Sequence, residues 1–122
     1  MTKTHTNNAL TVEVTETSDA ITVTWLGKSI SRKPSSFLTP ILTDALSTAT
    51  GSEKTVVIDF RRLQYMNSSS ITPVIKILER AKKGTVPVQI IYDESQRWQD
   101  LSFSALEIFE TRDNRIEIRG QS

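Results

Sequence analysis

Residues Thr55 to Phe60 read Thr-Val-Val-Ile-Asp-Phe, an almost wholly apolar and β-branched run with helical periodicity on either side of it. Such a run is expected to be an interior strand covered on both faces. Strands that alternate with helices imply a sheet with crossover helices packed on it. Upstream, Phe37, Leu38, Ile41, Leu42, Ala45, Leu46 and Ala49 recur at three- and four-residue spacing from Pro34 onward, with Gly51 as the stop. Pro40 then belongs in the first helical turn, where its missing N–H costs little, and Thr39 or Ser36 supplies the cap. Downstream, Ile71, Val74, Ile75, Leu78 and Ala81 line one helical face opposite Thr72, Lys76, Glu79, Arg80 and Lys83, and Gly84 ends the helix.

The remaining elements follow from the same periodicities. Leu10, Val12 and Val14 alternate with polar residues, and after Thr17-Ser18-Asp19 the alternation resumes with Ile21, Val23 and Trp25, which reads as a hairpin with one wet face. Val86 to Tyr92 is a further strand, Trp98 to Glu110 a third helix, and Arg115 to Arg119 a short last strand. In the third helix Trp98, Leu101, Ala105, Leu106, Ile108 and Phe109 face the sheet, while Phe103 projects away as a residue under the termini or a surface anchor. The expected order is β-β-α-β-α-β-α-β, an α/β domain with a mixed sheet over residues 10–120. Thr2 to Asn8 lack apolar side chains to bury, and residues 1–9 are expected to form a fraying tail.

At 122 residues the chain suits one core. Fifteen Lys and Arg against fourteen Asp and Glu give a net charge of +1, so no overall field draws it to nucleic acid or a membrane. The absence of Cys, with His5 as the lone histidine, closes thiol chemistry and the usual metal sites. There is no secretory leader or membrane-spanning run, so a cytoplasmic location is expected. Nor is there a Gly-rich phosphate loop, a Gly-x-Ser-x-Gly elbow or a general base for a serine, which argues against an enzyme.

What remains is Tyr65-Met66-Asn67-Ser68-Ser69-Ser70-Ile71, three hydroxyls opening an amphipathic helix after the apolar strand. Hydroxyls at a helix start cap it, bind an anion or accept a phosphoryl group, because free N–H groups favour negative charge there. Asp59 is expected to bond backbone or Arg61, and Arg61 and Arg62 read as solvated turn charges.

The strand Val-Val-Ile-Asp-Phe, then Leu63, then Tyr-Met-Asn-Ser-Ser-Ser-Ile resembles the STAS domain of bacterial anti-sigma factor antagonists. In that family a strand ending in Asp precedes a hydrophobic-hydrophobic-Asp-Ser-Ser-Gly-Leu turn, and the element order and length agree from about Leu10 onward. The resemblance implies a regulator that binds its partner when unphosphorylated. It makes Ser68 the phosphoacceptor, with Ser69 the second choice. The implied partners are a serine kinase and anti-sigma factor of the histidine-kinase ATPase type, which brings its own ATP and magnesium, and a metal-dependent serine phosphatase. No cofactor is expected on this chain.

Two departures stand out. Asn67 replaces the usual Asp and Ser70 the usual Gly, which is similar to a STAS-like group with an Asn-Thr/Ser-Ser-Ser turn whose phosphoprotein controls a diguanylate cyclase. Lys28, Arg32 and Lys33 occupy a segment that is usually acidic in the family. They are either solvated loop charges, an intramolecular anchor for phosphoserine, or a selector of an acidic partner. The expected partner surface is Asn67, Ser68, Ser69, Ser70, Thr72 and Lys76 with Lys28, Arg32 and Lys33 alongside. The other readings are a non-enzymatic scaffold and a small-molecule-binding module.

Overall fold

The computed structural model describes residues 1–122. One mixed sheet contains β1 (Thr2–Asn7), β2 (Leu10–Glu16), β3 (Ala20–Ser29), β4 (Thr55–Asp59), β5 (Leu63–Met66), β6 (Val88–Asp93) and β7 (Ile116–Gln121). Helices α1 (Pro34–Ser52), α2 (Ile71–Lys82) and α3 (Arg97–Ser104) connect the strands. The order across the sheet is β1-β2-β3-β4-β6-β7, with β5 joined to the end of β3. The β1-β2 and β2-β3 pairs are antiparallel, and all others are parallel.

Register explains the core. Val12 lies opposite Trp25, Val23 opposite Ile58, Ile58 opposite Ile90, and Ile90 opposite Ile118, so one face carries a continuous apolar row. Leu38, Leu42, Ala45 and Ala49 of α1 and Val74, Leu78 and Ala81 of α2 close over it in one cluster. β4 is interior by pairing, but only one of its faces is well covered: Val56 and Ile58 are buried, while Val57 stays partly exposed. The expectation of burial on both faces is therefore corrected. Val57 keeps a β-branched side chain on the wet face because it suits the pleat there as well.

The N-terminal segment also differs from expectation. Thr2 to Asn7 pairs residue for residue with Thr15 to Leu10, turning through Asn8 at a φ of 56°. An edge strand with no apolar side chain still gains backbone hydrogen bonds, and its alternate threonines suit the pleat. Residues 2–7 thus form a strand where a tail was expected.

In α1 the cap and the proline move. Pro34 occupies the first helical position after Lys33, which makes no side-chain cap bond, and Pro40 lies inside the helix. Neither Thr39 nor Ser36 is the cap. Pro40 has no N–H to give back along the helix, so this turn of α1 forgoes one backbone bond on its exposed side. The helix runs past Gly51 and ends at Glu53, whose φ of 57° lets the Lys54 N–H reach the Ala49 carbonyl at 3.1 Å.

The third helix is split. α3 stops at Ser104, and Ala105–Phe109 continues as a tighter 3-10 turn. Phe103 is fully buried, stacked on Phe60 with centroids 4.2 Å apart, while Leu101 and Ile108 are 67% and 76% exposed. The inward face runs through Gln99 and Phe103, not through Leu101.

Candidate functional site

Gly27 steers the end of β3. Its φ of 88° lies in the left-handed region, and a Cβ there would collide with the Ala9 carbonyl oxygen, so the bend requires glycine. The β3-β5 register shifts between Gly27 and Lys28, after which Lys28 lies opposite Tyr65 and Ser29 opposite Met66. The connection from Lys28 to Lys33 thus runs beside the strand that leads into the serines. That strand, β5, falls where the sequence suggests only a polar connection. Four residues, three of them paired with β3, leave little hydrophobic signal, and Gln64 and Tyr65 are exposed.

Asn67 ties the two segments together. Its Oδ1 accepts from the Ser70 N–H at 3.1 Å and so caps the 3-10 turn Ser68–Ser70 that leads into α2. The same oxygen accepts from the Ser70 and Ser69 hydroxyls. Its Nδ2 donates to the Ser31 carbonyl at 2.9 Å, and its backbone N–H donates to the Ser29 carbonyl at 3.0 Å. An aspartate would accept the first set but has no proton for Ser31. Asn67 is suited to holding the basic connection against the serine turn.

Ser70 completes this arrangement. It is fully buried, and its hydroxyl proton is committed to Asn67, so Ser29 Oγ, 2.7 Å away, donates to Ser70 Oγ. Glycine at 70 would remove that acceptor from a buried hydroxyl, at a cost of about 1–3 kcal/mol. The three serines thus have three environments. Ser70 is locked inside, Ser69 is exposed but leans on Asn67 at 3.3 Å, and Ser68 is exposed with its hydroxyl unbonded to the protein.

The other expected partner-facing residues are Thr72 and Lys76 on α2 and Lys28, Arg32 and Lys33 before α1, all exposed. The molecule's salt bridges are Lys54–Glu16 and Arg61–Asp59, so these cations are paired with no carboxylate. Ile30 and Tyr65, each 50% exposed, add apolar surface to the same two segments. Sequence periodicity did not single them out, because both lie beside the register shift of β3.

Asp59 is occupied structurally. Arg61 donates to it from the backbone N–H and Nε at 3.0 Å and from Nη2 at 2.8 Å, and Nη1 reaches Gln121 Oε1 at 3.1 Å. Arg61, though half-exposed, therefore also ties β4 to β7 and is more than the solvated turn charge expected of it, while Arg62 stays exposed. Burial is the largest influence on the Asp59 carboxyl and pushes it up, but the Arg61 bonds and charge, aided by Arg62, together hold it below the usual carboxylate range. The stability this pair contributes is complete above the unfolded value, near 4, and is lost as pH falls through the lower folded value. Between about pH 5 and pH 2 the urea midpoint of the native chain should fall more steeply than that of Asp59→Asn, which has no proton to take up there. Parallel curves would remove Asp59 from the acid response.

Gln99 is a positioning residue that sequence reasoning missed. Fully buried, it donates to the Phe60 and Leu63 carbonyls at 2.7 and 2.9 Å and accepts from the Asp93 N–H at 2.8 Å. It thereby fixes the turn between β4 and β5. A glutamine inside a helix carries no pattern that marks it for burial.

Neither a model of a known protein family nor the sequence of any curated protein matches the chain. Among solved structures, the crystal structure of an anti-sigma factor antagonist from Mycobacterium paratuberculosis matches over 90% of this chain and 93% of that one, with a TM-score of 0.57 at 16% identity. The fold is that of a STAS domain. Within this STAS fold the serine turn lies at the junction of β5 and α2, beside the end of β3. No helix of the chain is long and apolar enough to cross a membrane.

Proposed function

We propose that this chain is a phosphorylation-controlled partner-switching regulator that binds a protein partner while Ser68 is unmodified. One observation carries the reading: Ser68 is exposed and unbonded at the start of a turn whose neighbours Asn67 and Ser70 are locked in place. A kinase needs an accessible oxygen on a rigid frame, and the fold shared with an anti-sigma factor antagonist gives such a residue a regulatory setting. Ser69 is the second choice because its hydroxyl is engaged with Asn67.

The proposed partner is a serine kinase of the histidine-kinase ATPase type, opposed by a metal-dependent serine phosphatase. The kinase supplies ATP, magnesium and a base, while this chain supplies only the acceptor and needs no cofactor. The Ser68 Oγ–phosphorus bond forms as the bond from the γ-phosphorus to its bridging oxygen breaks, ADP leaves, and the hydroxyl proton passes to the kinase's base. The contact surface is Asn67, Ser68, Ser69, Thr72 and Lys76, flanked by Lys28, Arg32 and Lys33; Ser70, expected on it from the sequence, is fully buried and supports it from beneath. A diguanylate cyclase as the output partner is the second reading, favoured by the way Asn67 and Ser70 work together in an Asn-Ser-Ser-Ser turn. The largest groove, about 500 Å³ between β1 and α1, includes no residue of the serine turn, so it is separate from the proposed switch site.

Incubation with the cognate kinase and ATP should place a single phosphate on Ser68, read by mass spectrometry of the digested protein. Labelling of Ser68→Ala at an undiminished rate would overturn the assignment.

A further inference from the structure

The chain's charges are not evenly spread. Residues 26–43 and 60–78, the two segments that meet at the serine turn, carry Lys28, Arg32, Lys33, Arg61, Arg62 and Lys76 and no Asp or Glu. The rest of the chain carries the other nine Lys and Arg against all fourteen carboxylates. Arg61 is consumed by Asp59, the nearest carboxylate in sequence, and the other five cations of these segments have no ion-pair partner.

The basic connection is also held close to the serines. The Ser31 carbonyl accepts from Asn67 Nδ2 at 2.9 Å, so Arg32 and Ser68 each lie one residue from the two ends of a single hydrogen bond. Lys28 pairs across the ladder from Tyr65, and the Ser31 hydroxyl accepts from the Lys33 N–H at 3.1 Å, folding that residue back over the connection. Consecutive Cα atoms are about 3.8 Å apart, so Arg32 and Ser68 are each one such step from residues joined directly by the Asn67–Ser31 bond.

Resting on the assignment of Ser68 as the acceptor, we propose that phosphoserine at 68 is held in cis by Arg32, assisted by Lys28 and Lys33. A guanidinium offers a forked pair of N–H donors that matches phosphate oxygens, and ammonium groups add point charge. The exposed charges on the two segments that meet at the serine turn are Lys28, Arg32 and Lys33 from the β3-α1 connection, Arg62 from the β4-β5 turn and Lys76 from α2, with no carboxylate in either segment. In the unmodified chain these cations are open to an acidic partner. In the phosphorylated chain they turn inward on the phosphate, so one modification adds negative charge and withdraws positive charge from the same surface.

The test needs no partner. Protein with phosphoserine installed at position 68 by amber suppression is titrated by phosphorus NMR, beside the same protein carrying Lys28→Ala, Arg32→Ala and Lys33→Ala together, and beside Arg32→Ala alone. The second ionisation of the native phosphoserine should lie roughly half to one pH unit below its value in an unstructured peptide, near 6. The triple substitution should remove most of that shift, leaving only what the helix start and the remaining cations contribute, and Arg32→Ala alone should remove a large part of it, while circular dichroism confirms the fold. Identical titrations for native and substituted proteins would overturn the clamp. Kinase labelling separates this outcome from the functional reading: labelled Ser68 with identical titrations retains the switch and rejects the clamp. A cation-dependent shift with no labelling at Ser68 retains the phosphate site and rejects the assigned acceptor.

Discussion

Phosphorylation of Ser68 is expected to lower affinity for the partner kinase by at least a hundredfold, with Ser68→Ala binding as tightly as the unmodified chain. The effect has to act at the interface. About −1.5 to −2 charges at the start of a helix favour the helix and leave the α2 backbone intact. Ser68 is exposed and its neighbours are fixed, so the phosphate has no internal contact to break. A partner surface shaped for a neutral hydroxyl must instead desolvate a dianion, at a cost of several kcal/mol, and each 1.4 kcal/mol is about tenfold in affinity. Calorimetric titration of the kinase with unmodified, phosphorylated, Ser68→Ala and Ser68→Glu proteins measures this directly. Glutamate carries a single charge and should give an intermediate loss. Equal affinities for the phosphorylated and Ser68→Ala proteins would sink a charge-controlled switch.

Replacing Phe103 with alanine should destabilise the fold by about 3–5 kcal/mol, among the largest effects available to a single core substitution. Its ring is fully buried, stacked on Phe60 at 4.2 Å and tilted against Tyr92 and Trp98 at 5.9 and 6.0 Å. Phe60 in turn meets Trp25 edge-on at 4.8 Å, so the cavity would open in the middle of an aromatic row that joins α3 to β3. Total stabilities of small domains are about 5–15 kcal/mol, which makes this loss a large fraction of the whole. Leu101→Ala, two residues earlier but 67% exposed, should change stability by no more than about 0.5 kcal/mol. Urea denaturation of both variants tests the pair, and similar losses would contradict the observed orientation of α3.

That orientation illustrates what local pattern conveys poorly. Leu101, Ala105 and Ile108 recur at helical spacing and suggest an inward face, yet all three are exposed. The actual face is centred on Gln99, a polar residue that is buried because three backbone groups of other elements need its amide. Periodicity counts apolar residues, whereas burial of an amide is decided by backbone groups with bonding capacity to spare, supplied from distant chain segments. Phe103 is hidden from the same reading because its partner on the inward face is that glutamine.

The α/β alternation, the interior position of Val56 to Ile58, the amphipathic faces of α1 and α2 and the serine-led start of α2 were legible in the sequence, since each depends on propensity and spacing within one segment. The edge strand Thr2–Asn7, the open second face of β4, the short β5 and the break after Ser104 were decided by pairing and packing across the chain. The site divides in the same way. Three consecutive hydroxyls at a helix start are a property of the sequence, but their separation into a buried Ser70, a tethered Ser69 and a free Ser68 depends on Asn67, which holds Ser69, and on Ser29 and Ser31, about forty residues away, which hold Ser70 and Asn67. A hydroxyl's availability depends on which donors and acceptors the fold brings to it, and only the tertiary structure supplies those neighbours.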